Sequence, residues 1–264
     1  MTPNATLYIA LAFYAAATLV ALVSLFARER RLQHTGLGLM IAGWISHTIW
    51  IGTICTKTGH PPLTNLPEAA SFVAWTVFLA ELILFIRYRV AAAAFFVYPL
   101  VLMLLTVTAV VHEPFAQMDP TLRSGLFTMH VLLSTIGVAA LLIGLAFTLL
   151  AYLQDRSLKS KQRGKLWEWI PSLNVCRRLS YRMIAIGFAI YTLGLLTGIL
   201  WSYRTTSELM DFRVKQIGGI VAWILFGVLL QSYISGAYRG RRTVVISACA
   251  FVAIVIAMLG IHHV

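Results

Sequence analysis

The sequence is short of charged residues and rich in apolar ones. Of its 264 residues, 11% are charged and 59% are apolar. The charges form short clusters separated by apolar runs of about 20 residues, which is the length that crosses the hydrocarbon core of a bilayer. This composition excludes an ordinary water-soluble domain and is typical of an integral membrane protein.

The three cysteines are isolated from one another at positions 55, 176 and 249. They form no CxxC redox pair, no thiolate metal site and no CxxCH motif for covalent haem. The chain also has no evident internal repeat, low-complexity tract or linker. These absences exclude a repeat protein and a cytochrome that carries its own c-type haem.

The apolar runs predict an all-α, polytopic membrane helix bundle of about eight transmembrane helices. We expect a single integral membrane domain over 1–264, because eight spans leave no room for a separate soluble domain. The first run is expected to be a retained helix and not a signal peptide, since no basic segment precedes it and arginines follow it. The predicted spans lie near 7–26, 36–54, 67–86, 91–111, 126–153, 183–203, 217–236 and 243–261.

The basic residues indicate how the chain is oriented. The net charge is +12, and sixteen of the 21 lysines and arginines fall in alternate loops, within 28–31, 87–89, 156–182 and 239–242. The positive-inside rule therefore predicts extracytoplasmic N- and C-termini in a bacterial-type cytoplasmic membrane. Since membrane orientation already explains the distribution of basic residues, no nucleic-acid partner is expected. The basic loop 154–182 would suit either a short amphipathic helix on anionic membrane lipid or a plain topology-setting loop.

The sequence contains seven histidines, each a possible ligand. His34 and His112 are expected to be an ordinary interfacial residue and a solvated loop residue. His47 lies inside the second predicted span, where an ionisable side chain usually faces a cavity or a partner. Trp44 lies three residues before it on the same helical face, which would suit a flat aromatic ligand or ordinary bundle packing.

Three further histidines are predicted to meet the outer membrane surface from distant parts of the sequence. His130 begins the fifth span, while His262 and His263 follow the eighth. Two neutral imidazoles can supply both axial bonds of a six-coordinate haem iron. A shared haem iron site is one interpretation, and ordinary helix-end histidines are the other. His60 lies in the first outer loop and is also a candidate.

The segment GHPPLTNLPE at 59–68, followed by Phe72 and Trp75, resembles the GHxPxxNxxE signature of the CcsA-like cytochrome c assembly family, which includes proteins of the HemX type. Further landmarks follow in the expected order: MHV at 129–131, GILW at 198–201, Lys215 eight residues before Trp223, and YRGRR at 238–242. The resemblance covers essentially the whole chain.

This resemblance implies a membrane protein that handles haem, predicted to be haem b. It implies that His130 and either His262 or His263 are outer axial ligands, and that His47 is a ligand within the bilayer. His60, Trp44, Trp201 and Phe212 complete the predicted haem-binding residues. Two departures stand out: Met210 to Arg213 replace the family's WxWD segment, leaving Phe212 as its aromatic residue, and Gln231 replaces a second transmembrane histidine.

The leading hypothesis is a binding protein that holds haem at the extracytoplasmic face for delivery to a larger cytochrome c maturation subunit with an outer domain. A role as subunit of a cytochrome c synthase is the second, although the chain has no complete catalytic constellation. The third is a HemX-type regulator of haem biosynthesis, at the level of glutamyl-tRNA reductase, acting through the cytoplasmic loop. A transporter or a respiratory cytochrome b is disfavoured.

Overall fold

A computed structural model gives the fold of the chain. The structure describes residues 3–27, 29–61, 63, 65–111, 124–160, 170–207, 214–236 and 240–259, and eight α-helices lie within them. The helices are α1 (Pro3–Ala27), α2 (Arg30–Thr58), α3 (Leu66–Tyr88), α4 (Ala94–Val110), α5 (Gly125–Ser160), α6 (Leu173–Thr206), α7 (Val214–Ile234) and α8 (Gly240–Leu259).

Every predicted span coincides with one of these helices. In the described part of the chain, seven of them are long and apolar enough to cross a membrane, and α4 is a shorter apolar helix of 17 residues. Large apolar side chains such as Leu19, Ile86 and Val228 are exposed on the helix surfaces, as suits contact with lipid. The prediction of a polytopic all-α membrane bundle is confirmed.

The loop predicted at 154–182 is wrong at both of its ends. Helix α5 continues to Ser160 and α6 already begins at Leu173. Polar residues can extend a transmembrane helix beyond the bilayer core, where charges meet water and each other. Lys159 accordingly pairs with Asp155 at 2.7 Å, one helical turn away. The amphipathic-helix interpretation falls mainly on residues outside the described part.

The chain divides into two compact units, Met1–Met118 and Asp119–Val264. In the first unit α1 packs on α2 and α4, and α3 packs on α4. Hydroxyl groups link neighbouring helices: Ser46 donates to the carbonyl of Thr6 at 2.9 Å, and Thr108 donates to that of Pro67 at 2.8 Å. The single-domain prediction stays a prediction.

In the second unit α5 packs along α6, α7 packs on α8, and further contacts join α5 to α8 and α6 to α7. A chain of hydroxyls crosses three of these helices. The Oγ1 of Thr148 lies 2.6 Å from the Oγ of Ser180, which lies 2.7 Å from the Oη of Tyr233. Each buried hydroxyl thereby finds a partner that the bilayer could not provide.

The α5–α6 pair approaches closely because glycines line it. A Cβ atom placed on Gly137 would lie 2.7 Å from the backbone nitrogen of Tyr191, and one on Gly187 would lie 2.9 Å from that of Leu141. Real Cβ atoms essentially never come so close. Small residues are what allow membrane helices to pack backbone to backbone, so this seam fixes the register of α5 against α6.

Candidate functional site

His130 lies on α5, just over one turn from the start of the helix, and is half-buried against α6. Its Nδ1 atom lies 2.7 Å from the carbonyl oxygen of Gly194, with the Oγ of Ser134 at 3.4 Å. A carbonyl oxygen only accepts hydrogen bonds, so Nδ1 must carry the proton and donate it. In the neutral ring the lone pair is then on Nε2, the nitrogen that would bind a metal.

Glycines on α6 make the space for this ring. A Cβ atom on Gly198 would lie 2.5 Å from Nδ1 and 2.6 Å from Cε1 of His130. One turn earlier, Gly194 supplies the accepting carbonyl, and a Cβ there would meet Ser134. We call His130, Ser134, Gly194 and Gly198 the imidazole seat. The sequence predicts His130 as a candidate ligand, and that role stays a prediction. The other three residues were not predicted, although the spacing of four between the glycines was a readable signal.

An aromatic pair lies near the imidazole seat along the same two helices. Trp201, three residues after Gly198, has its ring centroid 5.2 Å from that of Phe127, which lies three residues before His130. Trp201 is half-buried and Phe127 is buried. An aromatic surface at this end of the α5–α6 pair can pack against a flat macrocycle.

His47 lies deep in the first unit and has no exposed surface. Its Nε2 is 2.7 Å from the Oγ of Ser71, and its Nδ1 is 3.3 Å from the Oη of Tyr14. Both ring nitrogens are therefore already hydrogen-bonded within the protein. Binding iron here would break one of these hydrogen bonds. His47 is therefore explained as a buried residue with both ring nitrogens hydrogen-bonded. Its role as a ligand stays a prediction.

Trp44 shares the α3-facing side of α2 with His47, but it joins a separate stack of aromatic rings. Trp44 stacks on Trp75 with centroids 5.1 Å apart, and Trp75 stacks on Phe72 at 6.0 Å. The indole nitrogen of Trp44 also donates to the carbonyl of Trp75 at 3.3 Å. These half-buried rings already stack on one another. Packing alone therefore explains Phe72 and Trp75 of the signature segment.

The rest of the signature segment shapes the turn from α2 to α3. Gly59 ends α2 with φ 75°, a left-handed conformation that favours glycine. Asn65 caps the start of α3, where its side-chain oxygen accepts a hydrogen bond from the backbone N–H of Glu68 at 2.9 Å. His60 is buried in this turn, with Nδ1 2.9 Å from the carbonyl oxygen of Pro61. The turn thus positions His60, whose role as a haem contact stays a prediction.

Replacing Asn65 with alanine is expected to lower the free energy of unfolding by about 1 kcal/mol, since the backbone N–H of Glu68 loses its acceptor. Asn65→Asp retains an acceptor and is expected to stay near wild type. Unfolding in mixed detergent micelles would measure both variants. Equal stability of the alanine and aspartate variants would contradict a capping role for Asn65.

The remaining predicted site residues fall elsewhere. His262, His263 and Phe212 lie outside the described residues, as does His112. Gln231, which replaces a transmembrane histidine of the family pattern, lies on α7 with an exposed side chain. Within the described residues, no cluster of three or more histidine, cysteine, aspartate or glutamate side chains could hold a metal ion.

The apolar helices and the oriented imidazole between two of them define a multi-pass α-helical membrane protein with a candidate ligand site at one end of α5. The chain belongs to the cytochrome c assembly protein family, whose sequence profile matches residues 63–264. The family assignment made from the sequence is thereby confirmed: the chain is a member of a family of cytochrome c assembly proteins.

Similar proteins agree with this assignment. The chain is 25% identical over 268 residues to the cytochrome c biogenesis protein CcsA of Guillardia theta, covering 92% of this chain and 89% of the relative. It is 26% identical over 228 residues to CcsA of Prochlorococcus marinus strain MIT 9301, covering 78% and 74%.

A solved structure shows the same fold. The cytochrome c heme lyase CcmF matches with a TM-score of 0.71 and 15% identity, over 99% of this chain and 47% of that one. The chain therefore spans about half the length of that protein, and the likeness concerns the fold alone.

Proposed function

We propose that the protein holds haem b at the extracytoplasmic face of a bacterial-type cytoplasmic membrane and delivers it to a larger cytochrome c maturation subunit with an outer domain. His130 is one axial ligand and either His262 or His263 is the other. The observation that carries the proposal is the hydrogen bond from Nδ1 of His130 to the carbonyl of Gly194. Membership of the cytochrome c assembly family supports it.

The chemistry of the imidazole seat suits an iron ligand. Histidines that bind metals usually donate their second ring N–H to a carbonyl or carboxylate, which fixes the tautomer and makes the ligating nitrogen more basic. His130 has this arrangement. Two such imidazoles give a low-spin, six-coordinate iron, which is suited to carrying haem because both axial positions are held by the protein.

Other residues near this end of α5 and α6 would complete a haem site. Trp201 and Phe127 offer aromatic surface for the macrocycle. Arg204, in the last turn of α6, is exposed and can pair with a haem propionate. Phe212, beyond the end of α6 in the sequence, is proposed as a further aromatic contact. With the termini extracytoplasmic, as the charge pattern favours, these residues meet the outer surface.

Absorption spectroscopy tests the ligands. We expect wild-type protein purified from haem-replete cells to show a low-spin spectrum in the reduced-minus-oxidised difference, because two imidazoles bind the iron. His130→Ala and the double variant His262→Ala/His263→Ala are each expected to lose it. Added imidazole should restore the spectrum of His130→Ala, since the free base can replace the missing ligand.

The matched control is His112→Ala, which is expected to keep the wild-type spectrum. A colourless wild-type protein, even after haem is added back, would overturn the proposal. A normal spectrum in His130→Ala would remove His130 from the site, and loss of haem in His47→Gln alone would place the iron in the bilayer instead.

Deletion of the protein in its own host separates delivery from regulation. Delivery predicts loss of mature cytochrome c with haem synthesis unchanged. Normal cytochrome c together with altered levels of haem precursors would instead favour the regulator of haem biosynthesis that the resemblance to HemX-type proteins suggested.

A further inference from the structure

A small cavity lies at one end of the first unit, where α1 and α3 end and where α2 and α4 begin. All four helices contribute to its wall. Its polar lining residues are Ser24 of α1, Gln33 and His34 of α2, Glu81 of α3 and Tyr98 of α4. None of these residues belongs to the imidazole seat or to the surroundings of His47, so the cavity is a separate feature of the fold.

Glu81 is the unusual member of this wall. It is 2% exposed, and its Oε2 atom has no hydrogen-bond partner among the described residues. An ionised carboxylate away from water is strongly unfavourable unless it is paired, and even a neutral carboxyl costs free energy when it lacks a hydrogen bond. A group in the cavity must therefore serve as its partner, or the carboxyl must bind a proton, or both.

The cavity has room for water, and its mostly apolar wall carries polar side chains that can hydrogen-bond to it. Its volume is about 40 Å³, and one water needs about 10–15 Å³ of such space, so about three waters fit. An ordered water needs two to four hydrogen-bonding groups, and Gln33, His34 and Tyr98 line the cavity together with Glu81. Glu81 lies seven residues before the end of α3, about 10 Å along the helix axis, so water in the cavity would have only a short depth to bridge.

We propose that Glu81 is a proton-binding site that exchanges its proton with water held in this cavity. In the protonated state the carboxyl O–H donates to a water. On release, the O–H bond breaks, the proton passes to that water to form hydronium, and the carboxylate accepts hydrogen bonds from the remaining waters. The titratable side chains that line the cavity with Glu81 are those of His34 from α2 and Tyr98 from α4, while α1 contributes the hydroxyl of Ser24. This inference does not depend on haem binding.

Infrared difference spectroscopy of the full-length protein tests this site. Subtracting the spectrum of Glu81→Gln from that of wild type isolates the carboxyl of Glu81 from other acids, such as Glu68, which is also buried among the described residues of this unit. We expect a C=O band of a protonated carboxyl near neutral pH, its loss as the pH is raised, and its shift in D₂O. Glu29→Gln, at an exposed position before α2, is the matched control and should retain the band.

A second variant keeps Glu81 but reduces the water. Ala94→Leu adds side-chain volume to the cavity wall and is expected to keep the carboxyl band while slowing its shift in D₂O. The absence of any band specific to Glu81 would overturn the proposal, and so would a band that never shifts in D₂O. A band that appears only when sodium is replaced by choline would also overturn it, because the site would then bind an inorganic cation.

Discussion

Replacing Gly198 with alanine is expected to lower haem affinity about 10- to 100-fold, the usual effect of removing a partner that orients a metal ligand. The new Cβ atom would lie 2.5 Å from Nδ1 of His130 and 2.6 Å from Cε1, so the ring must turn away from the carbonyl of Gly194. The stability of the protein should hardly change, because the imidazole can move and alanine favours the helix by about 1 kcal/mol. Haem titration and thermal unfolding would measure the two effects separately.

The matched control for this variant is Gly52→Ala, since a Cβ atom on Gly52 meets nothing within 4 Å. That variant should bind haem as wild type does. If Gly198→Ala titrates like the control, the imidazole seat does not determine haem binding. If affinity and stability fall together, the substitution acts by displacing α6 as a whole.

Replacing Gly137 with alanine is expected to affect stability instead. The free energy of unfolding should fall by about 1–3 kcal/mol, the range for overpacked sites. Its Cβ atom would lie 2.7 Å from the nitrogen and 2.9 Å from the Cα of Tyr191. These are backbone atoms, which cannot rotate away as the His130 ring can. The two helices must therefore separate along their glycine-lined seam. Unfolding in mixed micelles with increasing denaturing detergent would measure the change.

Gly38→Ala provides the comparison, because a Cβ atom on Gly38 also has open space around it. It should match or slightly exceed wild-type stability through its helix propensity. A Gly137→Ala protein as stable as Gly38→Ala would mean that α5 and α6 are not held at backbone contact.

Much of the fold could be predicted from the sequence, because the bilayer imposes one length and one polarity on every span. The ends of α5 and α6 could not be predicted in this way. Beyond the apolar core, Asp155 and Lys159 stabilise the helix by a salt bridge that a count of apolar residues does not detect.

The position of His130 near the start of a helix could be predicted from the sequence, but the geometry around its ring could not. The place of His130 at the start of a span was readable, but its acceptor lies 64 residues away on another helix. For the same reason the sequence could not predict that Ser71 and Tyr14 occupy both nitrogens of His47, since they are 24 and 33 residues distant. Pairing between helices depends on their rotation about their own axes, which the apolar pattern of a lipid-exposed span leaves undetermined.

The length of α4 has a consequence for the surrounding lipid. Its 17 residues extend about 25 Å, against about 30 Å for a typical hydrocarbon core. Met103 and Val110 are exposed on its surface, as suits contact with acyl chains. The bilayer is expected to thin by several ångströms beside this helix. Headgroups drawn inward at its first turn would shorten the path from bulk water to Glu81. The rate of proton exchange at this carboxyl is therefore expected to depend on the acyl-chain length of the lipid.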